Sequence, residues 1–180
     1  MDERIPYRTQ EEGRGEEVIE RTLILLKPDA VQRGVMGEII SRFEKAGLKI
    51  VGAKMAWADD ALAKKHYREE LALRRGEAVR QMNVDFLKEG PVLALAIEGI
   101  GSIEIVRKMI GATEPRAALP GTVRGDYTHS SYAYADAKKS VVRNLIHASS
   151  DANDAKIEID VWFSPKELHS YKSVHDMHIL

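Results

Sequence analysis

No cysteine occurs in the 180 residues, which removes disulfides, thiolate metal sites and cysteine nucleophiles from consideration. Long apolar runs are missing too. The stretch Val92 to Ile97 is far shorter than the ~20 residues of a membrane-spanning helix, so no membrane partner is expected. Charge of one sign is not in excess. A formal net charge of −1 argues against a chain that coats nucleic acid, although a local basic pocket stays open. Aromatic residues make up only 6%, and no nucleic-acid partner is expected. There is no Gly-rich Walker loop, and no cluster has metal-ligand spacing.

What is present is an ordinary globular composition, 44% hydrophobic and 31% charged, enough for one domain with a sizeable core. Residues 1–19 are polar, acidic and poor in apolar side chains, which predicts a flexible extension. They lack the apolar centre of a secretory signal, so a cytoplasmic protein is the expectation. Residues 20–180 form the predicted domain.

Thr22 to Leu26 is a run of strand formers stopped by Lys27-Pro28-Asp29. Val35, Ile39, Ile40 and Phe43 recur at helical spacing, with Gly47 as C-cap. Leu48 to Trp57 alternates as a strand with an irregularity near Gly52, and Asp59 to Glu89 favours helix with a break at Gly76. Val92 to Ile97 suits a buried strand, and Ser102 to Ile110 a helix ending at Gly111. After a loop rich in proline and glycine, Asp151 to about Ile157 reads as helix and Ile159 to Phe163 as strand. The order implies an α+β, ferredoxin-like βαββαβ antiparallel sheet with helices packed on one face. Such a fold hosts many activities and decides none.

Taken singly, the chemically interesting residues are scattered. A lysine at a strand end, such as Lys27, is more often a solvated charge than a ligand. A lone histidine such as His147, between apolar and small polar residues, is more often structural than catalytic. Spacing places Glu158 on the element after His147, and no local rule forces the two together.

Several motifs in order change that reading. Asn144-Leu-Ile-His147-Ala-Ser149 resembles the active-site signature of nucleoside diphosphate kinases. The segments Glu20 to Gly34, Gly37 to Glu44, Gly90-Pro91-Val92, Pro120 to Asp126 and Trp162 to Leu168 resemble that family's other landmarks. The resemblance implies a ping-pong transfer of the γ-phosphate from a nucleoside triphosphate, typically ATP, to a nucleoside diphosphate. His147 would be the nucleophile, Glu158 would hold its other ring nitrogen, and Ser149 would hydrogen-bond that glutamate. Lys27, Arg107 and Arg124 would bind phosphate, Tyr67 and Thr113 would donate hydroxyls, and Asn144 would meet the sugar. Arg33 and Asp126 read as loop braces. Mg²⁺ is expected to arrive on the nucleotide phosphates. A homo-oligomer, hexamer or tetramer built from dimers, is implied as well.

Three departures from the family pattern stand out. The family's Pro-Phe-Phe segment, whose phenylalanine stacks on the base, is replaced by Arg68 to Glu89, with no aromatic residue between Tyr67 and Phe86. The base clamp is therefore altered or supplied from elsewhere, with weaker stacking expected. Residues 128–138 read as an insertion, an interface or decoration rather than a lid. Ser150 stands where the family usually has aspartate, which should affect loop hydrogen bonding more than chemistry, since Asp151 can still cap a helix.

Overall fold

Strand β1 (Ile19–Leu26) carries Leu23, Ile24, Leu25 and Leu26, all with 0% exposure. Successive strand side chains point to opposite faces, so burying four in a row requires cover on both. The computed structural model, which describes residues 19–179, supplies that cover. Residues 1–18, and with them the predicted flexible extension, lie outside the described residues.

The sheet has four strands in the order β2-β3-β1-β4, with β2 at Lys49–Ala56, β3 at Val92–Ile100 and β4 at Ile146–Ala148. Each pairing is antiparallel, giving the ferredoxin-like arrangement expected from the sequence. The register between β2 and β3 slips between Ile50 and Gly52, at the irregularity read from the sequence. A Cβ on Gly52 would sit 2.9 Å from Leu168 Cδ2, so glycine is what lets the C-terminal segment approach this bulge.

Helices cover both faces, not the single face expected. On one side Ile24 and Leu26 pack with Phe43 of α2 (Met36–Lys45) and with Val106 and Ile110 of α6 (Ser102–Ile110). On the other, Leu23 and Leu25 pack with Ala63 of α3 (Asp60–His66), Val84 and Leu87 of α5 (Glu77–Leu87) and Trp162 of α9 (Ala152–Trp162). Between α3 and α5 lies α4 (Glu69–Arg75), separated from α5 by Gly76 at φ +91°, the predicted break. A short helix α1 (Pro28–Gln32) follows β1.

The predicted strand at Ile159–Phe163 is instead the last turn of α9, which ends at Trp162, followed by Phe163 as its extended C-cap. Ile159, Val161 and Phe163 alternate as a strand would, but the buried residues of the helix are Ala155, Glu158, Ile159 and Trp162. That spacing is one helical face. Asp151 caps the helix by accepting from the Asp154 N–H at 2.8 Å, and packing against β1 overrides the β-branched preference. The fourth strand is the three-residue β4. Within the described residues, no helix is long and apolar enough to cross a membrane.

The proline- and glycine-rich loop holds α7 (Val123–Tyr127) and then α8 (Tyr132–Ala137). A Cβ on Gly125 would lie 2.0 Å from the Leu119 carbonyl oxygen, so only glycine allows this loop to fold back on α7.

Candidate active site

The register of β4 against β1 aims the central histidine. His147 pairs with Leu25, so its side chain shares that residue's face, beneath α9, while Ile146 and Ala148 enter the opposite core. From α9 above, Glu158 meets it, with Glu158 Oε2 lying 2.9 Å from His147 Nε2. The same oxygen accepts a hydrogen bond from Ser149 Oγ at 2.6 Å. Burial alone would raise the Glu158 pKa, but His147, His66 and the Ser149 hydroxyl together hold it below the ordinary carboxylate value. A carboxylate at this point accepts the Nε2–H, which leaves the lone pair of His147 on Nδ1.

Beside His147 lies His66, the last residue of α3, with ring centroids 4.5 Å apart and planes at 88°. Its Nδ1 accepts from Trp162 Nε1–H at 3.4 Å. Burial, and next the proximity of His147, lower its pKa to about 3, so it stays neutral at physiological pH.

Lys27 follows β1, two residues beyond Leu25, as the N-cap residue of α1. Its backbone N–H donates to the Leu145 carbonyl at 2.8 Å, and its ammonium hydrogen-bonds Asn144 Oδ1. Desolvation lowers its pKa to about 8 against the opposing charge of Asp29. The Asn144 amide in turn donates to the Thr113 carbonyl at 2.8 Å. Leu145 has φ +68°, and the Ile146 N–H reaches back to the Asn144 carbonyl at 2.7 Å. This is the rare γ-turn with positive φ, a strained conformation held by Asp29, which accepts the Leu145 N–H at 3.0 Å.

Arg124, on α7, spreads its guanidinium over three carbonyls: Gly111 at 2.8 Å, Ile146 at 2.7 Å and Asn144 at 3.4 Å. It therefore braces the strained turn, and burial lowers its pKa to about 10. Tyr67, following α3, has its phenol pushed well above the ordinary value, by burial first and then by Glu158 and Asp29, so it remains a hydroxyl donor.

These side chains surround one cavity of about 690 Å³. Lys27, Tyr67, Arg107, Thr113, Arg124, Asn144, His147 and Glu158 all line it, whereas Ser149 lies behind Glu158. Asp126 is outside, accepting from Arg42 at 2.6 Å and from the Gly121 N–H at 2.7 Å, the loop brace expected. Arg33 is exposed and does not reach the cavity. The Ser150 hydroxyl bonds the Asp154 carboxylate, and Asp151 does cap α9.

Three features escaped sequence reasoning. Asp29 and His66 sit in the Lys-Pro-Asp and His-Tyr segments, where the motif was the available signal. The third is α8: Tyr132, Ala135 and Asp136 line the cavity, so the segment read as an interface or decoration is a wall of the site.

The nucleoside diphosphate kinase family model matches residues 20–168. The chain belongs to that family. It is 46% identical over 156 residues to the nucleoside diphosphate kinase of Borreliella burgdorferi, covering 86% of this chain and 93% of the relative. Against that of Thermococcus kodakarensis it is 49% identical over 158 residues, covering 88% and 84%. Among solved structures, the Borrelia burgdorferi nucleoside diphosphate kinase, a transition-state mimic with bound vanadate and ADP, superposes with a TM-score of 0.88. That pair is 44% identical and covers 89% of this chain and 96% of the other. The cations, hydroxyls and two imidazoles that the geometry gathers all lie within the matched residues.

Proposed function

We propose that this nucleoside diphosphate kinase works through a phosphorylated His147. The carrying observation is the Glu158–His147 hydrogen bond at 2.9 Å, which directs Nδ1 into a cavity lined by Lys27 and Arg124. In the first half-reaction the Nδ1 lone pair attacks the γ-phosphorus of a nucleoside triphosphate. The bond to the bridging oxygen breaks, and a nucleoside diphosphate leaves with the electron pair. Glu158 stabilises the positive charge on the phosphorylated ring through Nε2–H. In the second, a terminal oxygen of another nucleoside diphosphate attacks the phosphorus and Nδ1 regains its pair. Lys27, Arg107 and the remaining Arg124 donors neutralise the transferring group, Tyr67 and Thr113 donate hydroxyls, and Asn144 meets the sugar.

Mg²⁺ enters as part of the substrate, bridging nucleotide phosphates. Among the described residues, the one group with metal-ligand spacing is His66, His147 and Glu158. Two imidazoles suit that oxygen-seeking ion poorly. A closed homo-oligomer, hexamer or tetramer built from dimers, in the cytoplasm, belongs to the same proposal. Exposed Met55 and Trp57 on and beside edge strand β2 support assembly, and a monomeric mass by light scattering would oppose it.

The decisive test mixes the protein with γ-labelled ATP and Mg²⁺ in parallel with His147→Ala. The wild type should acquire acid-labile, base-stable label and pass it to GDP, and the variant should do neither. Nucleotide binding without label would replace the kinase reading with that of a binding module.

A further inference from the structure

The phosphate-directed groups of the cavity crowd one end, around Lys27, Arg124, Asn144 and His147. The more open part of the lining has different chemistry: exposed Arg75 and half-buried Leu71 from α4, and half-buried Val79 from α5, Tyr132 from α8 and Val141. A nucleotide whose phosphates occupy the cationic end must run its nucleoside toward this mouth. No aromatic ring from α4 or α5 lines the cavity. Four aromatic rings line it: His66 packs edge-on against both Tyr67 and His147, with centroids 4.7 and 4.5 Å away, and Tyr132 stands apart from that cluster, beside Arg75.

Resting on the phosphoryl-transfer reading above, we propose that Arg75 and Tyr132 together form the nucleobase-stacking wall, supplied in part by α8. The Arg75 guanidinium carbon lies 5.5 Å from the Tyr132 ring centroid. A planar guanidinium can rest on a ring with one face and offer the other to a base. The wall is anchored. The Tyr132 N–H donates to Glu114 Oε1 at 2.9 Å, Ser131 caps α8 by accepting the Tyr134 N–H at 3.2 Å, and the Arg116 N–H donates to the Ser130 carbonyl at 3.0 Å. Val141 lies on the strand of chain returning to Asn144, and its aliphatic surface borders the same space. Every base has a π-face, so such a wall holds purines and pyrimidines alike without selecting among them.

The test is calorimetric titration with GDP, CDP and the base-less ribose 5-diphosphate, with phosphohistidine formation from saturating ATP measured alongside. Tyr132→Ala and Arg75→Ala should each weaken GDP and CDP about tenfold. Affinity for ribose 5-diphosphate and the phosphohistidine yield should not change. Tyr132→Phe should keep wild-type affinity, because the ring is what matters. Tyr134→Ala is the control on the same helix, since Tyr134 is 63% exposed and does not line the cavity. Unchanged GDP binding in the alanine variants overturns the wall. So does an equal loss for ribose 5-diphosphate, which would mark a purely structural role. If wild-type protein binds GDP but forms no phosphohistidine, the phosphoryl-transfer reading fails, and the base-dependent comparison still judges the wall on its own.

Discussion

The two ends of the cavity are built by different rules. At the deep end Lys27, Asn144, Glu158 and Ser149 are all buried, and each is held by at least one further polar partner. The mouth is made of short helices, and Arg74 and Arg75 on α4 are exposed. A developing phosphoryl charge is stabilised by groups fixed before it arrives, so the deep end needs its own hydrogen-bonded support. A base requires little more than a flat surface, which different residues on different elements can supply.

The sharpest break in that contrast is Glu158→Gln. An amide can still meet His147 Nε2, but it carries no charge and can present a donor instead of an acceptor, which disturbs the tautomer. The rate of phosphohistidine formation should fall about 10²-fold or more, while GDP affinity stays near wild type. A fall in affinity with the rate intact would mean that the carboxylate serves structure alone.

A milder test uses pH. In the nucleotide-free protein the Lys27 pKa is lowered to about 8, so its charge is lost as pH rises through that value. The kcat/KM should then decline by about tenfold per unit above the pKa, whereas kcat should hold further, because bound phosphates favour the ammonium. Lys27→Arg, charged throughout this range, should remove the decline even if its overall activity is lower. A profile that is flat to pH 9.5 in the wild type would refute the loss of charge.

On α4, by contrast, Leu73 is 87% exposed and does not line the cavity. Leu73→Ser should change stability by about 0.5 kcal/mol or less, measured by denaturant unfolding, and leave GDP binding unaltered. A larger loss of stability would show that α4 is tied down more firmly than its exposure suggests.

Much of this was legible from residue order. The run Thr22 to Leu26, the helix Ser102 to Ile110, the break at Gly76 and the irregularity near Gly52 stand where periodicity and glycine placed them. These are local features, and the local chain carries their cause. The fourth strand was not legible. Three residues are too few for a period, and the alternation of Ile159, Val161 and Phe163 imitated a strand where α9 completes its last turn.

The sequence by itself determined the chemical inventory: a histidine in a family signature, an acidic partner beyond it, cations in separate motifs and no cysteine. Only the tertiary structure decided which ring nitrogen is free, because that depends on where α9 brings Glu158 across the sheet. It also turned Arg124 into the brace of a strained turn and placed α8 on the cavity wall. Partners far apart in the chain meet through strand register and helix packing, and neither is written in any short window of residues.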